Sequence, residues 1–150
     1  MKIRNALSIA ALALSLPLAA QQAAPIPQYG PNVTLDQARK NGWPMAIAVV
    51  DNAGMLVTFQ RIDNTQTASV QVAMDKAVSS AIYRRLSKAF QDGVAGGGAG
   101  LRLLNLRGAS TVEGGLPLYV DGKIVGGIGV SGMAADQDGV VAKAGADALK

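Results

Sequence analysis

Leu116-Pro117-Leu118-Tyr119-Val120-Asp121-Gly122-Lys123-Ile124-Val125-Gly126-Gly127-Ile128-Gly129-Val130 decides the architecture of this chain. Two apolar arms flank Asp121-Gly122, and Asp-Gly readily supplies the positive φ angles of a two-residue hairpin turn. The stretch therefore predicts an antiparallel hairpin. Pro117 brings no backbone donor, which suits an edge strand or a strand start. Gly126, Gly127 and Gly129 strip side chains from the second arm, so something is expected to cross that strand closely.

Working outward, Met45-Ala46-Ile47-Ala48-Val49-Val50 is a continuous apolar run, as in a strand buried on both faces. Asp51-Asn52-Ala53-Gly54 reads as a turn, and Met55 to Arg61 as the returning arm of an earlier hairpin. Between the hairpins lies the longest helical signal, Thr67 to Ala89. Val70, Met74, Ala77, Val78, Ala81 and Ile82 form its apolar stripe, and a break is expected near Leu86-Ser87. Ala73 and Ala77 would let this helix approach a sheet closely. Five of the eight residues from Gly93 to Gly100 are glycine. That stretch is either a mobile loop or a place where backbone approaches a ligand or partner. Leu101 to Leu106 is a strand or a helical turn, and periodicity does not decide. Ala134 to Leu149 reads as a closing helix with Asp136 and Asp138 in its first turn. The expected fold class is α/β of the α+β type. It is one domain with a central antiparallel sheet and helices at Thr34–Lys40, Thr67–Ala89 and Ala134–Leu149.

The N-terminus has the order of a secretory signal peptide. Met1 to Asn5 is short and basic, Ala6 to Leu16 is uncharged and rich in Ala and Leu, and Pro17 to Ala20 ends in small residues. Residues 1–20 are read as that signal, with cleavage between 20 and 24, and the expected location is periplasmic or secreted. The apolar run is short for a membrane span, so no integral membrane association is expected after cleavage. Residues 21–33, with prolines at 25, 27 and 31, read as an extended arm. The folded domain is then 34–150. Thr34 and Gln37 stand at capping-box spacing, and Asn41-Gly42 stops a short helix.

The 150 residues carry 14 Lys and Arg against 10 Asp and Glu, and Lys2 and Arg4 depart with the leader. So small an excess, with few aromatics for base stacking, speaks against a nucleic-acid partner. Histidine and cysteine are both absent. That excludes Cys/His zinc sites, cysteine nucleophiles, Ser-His-Asp triads, c-type haem attachment and disulfides. Gly127 to Gly132 matches G-x-G-x-x-G, but it follows a tight hairpin and not a βαβ unit, so close packing is the better reading. Gly93 to Gly100 lacks the Lys and hydroxyl of a phosphate loop. Asp51, Asp63, Asp75, Asp121, Asp136 and Asp138 read as solvated or turn-forming carboxylates, and no metal is assigned. Glu113 stands apart, because it precedes Gly114-Gly115 at a strand entrance where bare backbone amides can assist it. Arg61, at a strand end, and Lys76, inside a helix, are the cations best placed to join it. Arg61, Lys76, Glu113, Gly114 and Gly115 are thus the candidate ligand mouth. No catalytic residue is assigned.

Taken together, several segments resemble one family. They are Asn41-Gly42-Trp43-Pro44 leading into Ala46 to Asp51, with Gly54, then Arg61-Ile62-Asp63 and Ala73-Met74-Asp75-Lys76-Ala77. Glu113-Gly114-Gly115-Leu116-Pro117, Asp121-Gly122 and Gly126 to Gly132 followed by Gln137-Asp138 complete the set. The set is similar to the GlcG/HbpS-like haem-binding proteins, relatives of the C-terminal domain of PduO-type cobalamin adenosyltransferases. It runs from Thr34 to Leu149. The resemblance implies a profilin-like domain, a homo-oligomer (dimer or larger) and haem or a related tetrapyrrole as the small-molecule ligand. Two features depart from the family. The long helix that usually precedes Asn-Gly-Trp-Pro is shortened here, and there is no histidine to ligate iron. Met45, Met55, Met74, Met133, Tyr83 and Tyr119 remain as ligands by chemistry, as does a threonine.

Three functions stay open on these residues. The first is an exported small-molecule-binding protein. The second is an enzyme acting on a small anionic metabolite, with Glu113, Asp51 or Lys76 as its base. The third is an oligomeric structural module without a ligand.

Overall fold

The computed structural model describes residues 31–149. The expected signal peptide, and the arm before Pro31, lie outside the described residues. The elements run α1 (Pro31–Lys40), β1 (Ala46–Asp51), β2 (Leu56–Arg61), α2 (Ala68–Tyr83), α3 (Ser87–Ala95), a 3-10 segment (Gly98–Asn105), β3 (Gly115–Val120), β4 (Lys123–Ser131) and α4 (Ala135–Asp147). The four strands form one antiparallel sheet in the order β2-β1-β4-β3. Both expected hairpins are present, and β1 and β4 are the inner strands. Asp121 and Gly122 take φ of 50° and 71°, as the turn requires. β4 has antiparallel neighbours on both sides, so its glycine motif belongs to no βαβ unit.

α2 covers one face of the sheet, and α1 with α4 covers the other. On the α1/α4 face, Ile47, Val49, Ile128 and Val130 pack with Leu118, Leu35 and Val141. On the α2 face, Ala46, Ala48 and Val50 meet Ala73, Ala77 and Ala81. The glycines of β4 explain the small side chains. A Cβ on Gly127 would lie 2.9 Å from the amide nitrogen of Ala81, and one on Gly129 would land on the carbonyl of Ala73. Helix backbone therefore rests almost directly on strand backbone.

This corrects the expected stripe of α2. Its sheet-facing side is made of Ser69, Ala73, Lys76, Ala77, Ser80 and Ala81. Val70, Met74 and Val78 are half-buried flanks, and Ile82 is exposed. The sheet admits only small groups at the centre and leaves the branched ones to the edges. A second correction concerns α1, which begins at Pro31 and so takes the end of the expected arm into the helix. Proline is tolerated in a first turn because its missing N–H would be unpaired there anyway. Thr34 then sits inside the helix, fully buried, against Gly145 of α4. It packs the interior and does not open the helix.

The expected break in the long helix falls at Arg84 to Leu86, where Arg84 takes φ of 54°. Phe90 of α3 is buried beside this corner, edge-on to Tyr83 and beneath the Arg85 guanidinium. The glycine-rich stretch packs on itself, since a Cβ on Gly100 would collide with the carbonyl of Gly93. Leu101 to Leu106 continues as the 3-10 segment and its cap, which settles that ambiguity in favour of a helical turn. Among the described residues no helix is long and apolar enough to cross a membrane.

Candidate functional site

Three features of α2 and the 107–116 segment make up the site. The first is a buried ion pair. β3 begins only at Gly115, and Gly114, at φ of 122°, has left strand geometry. The amide of Val130 still donates to the Gly114 carbonyl at 2.9 Å, but the Val130 carbonyl has no ladder amide from Gly114. Lys76 fills that place. Its Nζ donates to the Val130 carbonyl at 2.9 Å and to Asp138 Oδ2 at 2.7 Å. Both charged side chains are almost wholly buried. Asp138 Oδ1 also accepts from the Met133 amide at 3.1 Å. Burial pushes the Asp138 carboxyl above its ordinary range, while Lys76 and the backbone donors pull against that shift. Lys76 and Asp138 thus tie α2 to α4 around the end of the sheet, and only a glycine at 114 leaves room for the ammonium.

The second feature is a recess of about 130 Å³ beside this pair, lined by Glu113, Gly114, Gly115, Leu116, Lys88 and Lys143 among others. The Glu113 amide donates to Gln91 Oε1 and the Gly115 amide to Ser87 Oγ, so α3 positions the segment. Lys88 donates to both carboxylate oxygens of Asp92, which raises its pKa, and Glu113 adds to that. Lys143 pairs in the same way with Asp147.

The third feature is a groove of about 470 Å³ on the outer side of α2. Val72, Asp75 and Val78, spaced three apart on the helix, form one wall, and residues 108–112 form the other. The Ser110 amide donates to Ser79 Oγ, and Tyr83 Oη donates to the Arg107 carbonyl at 2.6 Å, which holds the second wall against the helix.

Of the five residues expected at a ligand mouth, Glu113, Gly114 and Gly115 come together at the recess. Lys76 lies directly behind Gly114, with its ammonium held by Asp138 and Val130. Arg61 is exposed at the end of β2. Strand order puts it on the opposite edge, three strand spacings or roughly 14 Å from β3. Asp51 Oδ1 accepts from the Ala53 and Met55 amides, a turn-forming role. Asp138 contradicts the reading of a solvated carboxylate, because α4 turns it inward to Lys76. A lysine flanked by Ala73 and Ala77 on a sheet-facing helix side was the signal for such a partner, since a buried ammonium needs an anion. The groove had no comparable sequence signal. None of Met45, Met55, Met74, Met133, Tyr83 and Tyr119 lines it. Among the described residues no three Asp or Glu side chains converge as a metal cluster.

Comparison with known proteins bears on this geometry. A family model described as "Haem degrading protein HbpS-like" matches residues 32–147. Protein GlcG of Escherichia coli K12 is 36% identical over 96 residues, covering 64% of this chain and 70% of that protein. A double mutant of HbpS from Streptomyces reticuli superposes with a TM-score of 0.75 at 26% identity, covering 98% of this chain and 99% of that one. A PduOC:heme complex gives a TM-score of 0.72 at 26% identity, covering 79% and 88%.

Proposed function

Because the chain belongs to the HbpS-like family, we propose that it is a small-molecule-binding protein whose ligand is haem or a related tetrapyrrole. The observation that carries this reading is the groove along α2. At about 470 Å³ it falls in the range that buries a flat organic ligand, whereas the 130 Å³ recess is too small for one. Val72, Val78, Ala109 and Val112 offer apolar surface, and Asp75, Ser110 and Thr111 offer oxygen donors. These residues fit the group. With no imidazole or thiolate in the chain and no methionine or tyrosine in the lining, an iron held here would take its protein ligand from the oxygens of Asp75, Ser110 or Thr111. The bound group would supply redox-active iron, and the chain would supply enclosure and that donor.

The recess at Glu113, Gly114 and Gly115 is the second contact in this reading. It continues the same segment, and Lys88 and Lys143, whose exposed pairs with Asp92 and Asp147 are weak, can turn to a carboxylate substituent. Exposed Leu101, Leu104 and Leu106, with Met55 and, in edge strand β2, Leu56 and Val57, support a homo-oligomer that covers them. The signal-like composition of residues 1–20 supports export, testable by the mass of the mature protein.

Haemin titration of the protein, followed in the Soret band, tests the ligand. Saturable binding is expected, and Val78→Arg, which places a charge in the groove, should weaken it at least about tenfold. No spectral change, or an unchanged affinity in Val78→Arg, overturns the assignment.

A further inference from the structure

A separate concavity of about 310 Å³ lies where the C-terminal end of α1 meets the end of β2, and none of its lining residues lines the groove or the recess. Its apolar part is Trp43 and Ile62, which are half-buried and pack against the core beneath α1 and α4. Its polar part is Arg39, Asp63 and Asn64, all exposed. Neither Arg39 nor Asp63 has an ion-pair partner among the described residues.

Both walls are held before any ligand arrives. On one side the Trp43 amide donates to the Ala38 carbonyl and the Gly42 amide to the Arg39 carbonyl, each at 3.0 Å. On the other, the Ile62 carbonyl accepts from the amide and the hydroxyl of Thr65. The Ile62 amide is anchored on the Met45 carbonyl. Asn64 closes the turn at φ of 65°, a conformation that asparagine adopts more readily than other non-glycine residues.

We propose that this concavity is a second ligand site, for a small aromatic carboxylic acid that also carries a hydrogen-bond donor. Trp43 and Ile62 take the flat apolar body. Arg39 takes the carboxylate, which its guanidinium can grip with two parallel hydrogen bonds. Asp63, also in the lining, accepts from the donor group. The volume sits at the lower end of the range for small-molecule pockets, which limits the ligand to about one ring and its substituents.

Trp43 is the sole tryptophan of the chain, so its indole N–H resonance and its emission report on this site alone. The probes are 4-aminobenzoate, benzoate, which lacks the donor, and aniline, which lacks the acid. Saturable perturbation of the Trp43 signal is expected with 4-aminobenzoate, more weakly with benzoate and least with aniline. Arg39→Gln should weaken 4-aminobenzoate about tenfold. Asp63→Ala, which removes the acceptor, should bring its affinity down to that of benzoate. Both substituted residues are exposed, so neither change should disturb folding. No response of Trp43 to any probe overturns the proposal, as does an unchanged affinity in Arg39→Gln. Haemin binding is read in the Soret band at a different place, so the two readings fail independently.

Discussion

On the face of the sheet covered by α2 the contacts run backbone to backbone, while on the face covered by α1 and α4 they run side chain to side chain. The α2 face is built from Gly127, Gly129, Ala73 and Ala77, with almost nothing that can move out of the way. The α1/α4 face is built from Ile47, Val49, Ile128, Val130 and Val141, whose rotamers can adjust. The difference teaches where this fold is brittle. An added methyl on the α2 face meets main chain, which cannot yield without moving a helix. A removed methyl on the other face leaves a gap that neighbours partly close.

Lys76 is where the two layers meet, and changing it should have the largest effect. Lys76→Met leaves the Asp138 carboxylate buried without its cation and should cost about 3–5 kcal/mol near neutral pH in urea unfolding. The cost should shrink in acid, because a protonated Asp138 no longer needs the ammonium. Asp138→Asn should also destabilise, because it leaves the buried Lys76 ammonium without its anion, although an amide oxygen still accepts from Lys76 and Met133. The wild-type pH dependence follows with a definite sign. A carboxyl raised in the folded state contributes stability that is complete below its ordinary value, about 3.8, and declines as pH rises through the raised value. Asp138→Asn should remove that decline. A flat difference between the two stability–pH curves would mean the carboxyl is not raised.

Next in size is Gly129→Ala, whose methyl would land on the Ala73 carbonyl and the Ala77 amide. About 3 kcal/mol of destabilisation is expected. A loss below about 1 kcal/mol would show that α2 can ride up, and the contrast between the faces would fail. On the other face, Ile128→Val should cost about 1 kcal/mol in the same assay. The smallest effect belongs to the exposed helix pair. Lys143→Ala breaks its bond to Asp147 and should change stability by no more than about 0.5 kcal/mol, a difference that salt erases.

The hairpins were legible in the sequence because their signals are local. Asp121-Gly122 supplies its own turn geometry, and the apolar run from Ala46 to Val50 announces burial on both faces. The helix break near Leu86 was legible for a similar reason. The start of α1 was not, because Thr34 and Gln37 satisfy a local capping pattern while the tertiary contact with Gly145 decides what Thr34 does. The candidate site divides along the same line. Glu113, Gly114 and Gly115 are consecutive and could only arrive together. Arg61 was drawn in by its charge and excluded by the strand order, which no local feature encodes. The groove arises because residues 108–112 return across α2, far from them in sequence.

The residue types and their spacing thus determined two hairpins, a broken central helix, close packing at the glycines of β4 and a chemistry without imidazole or thiol. These follow from φ preferences, side-chain size and functional groups, which each residue carries wherever it sits. Only the tertiary structure decided the partners: Asp138 for Lys76 across 62 positions, the wall that faces Val72 and Val78, and the edge on which Arg61 falls. A buried ammonium declares that it needs an anion. Which of ten carboxylates answers depends on which helix the strand order carries to the other side of the sheet.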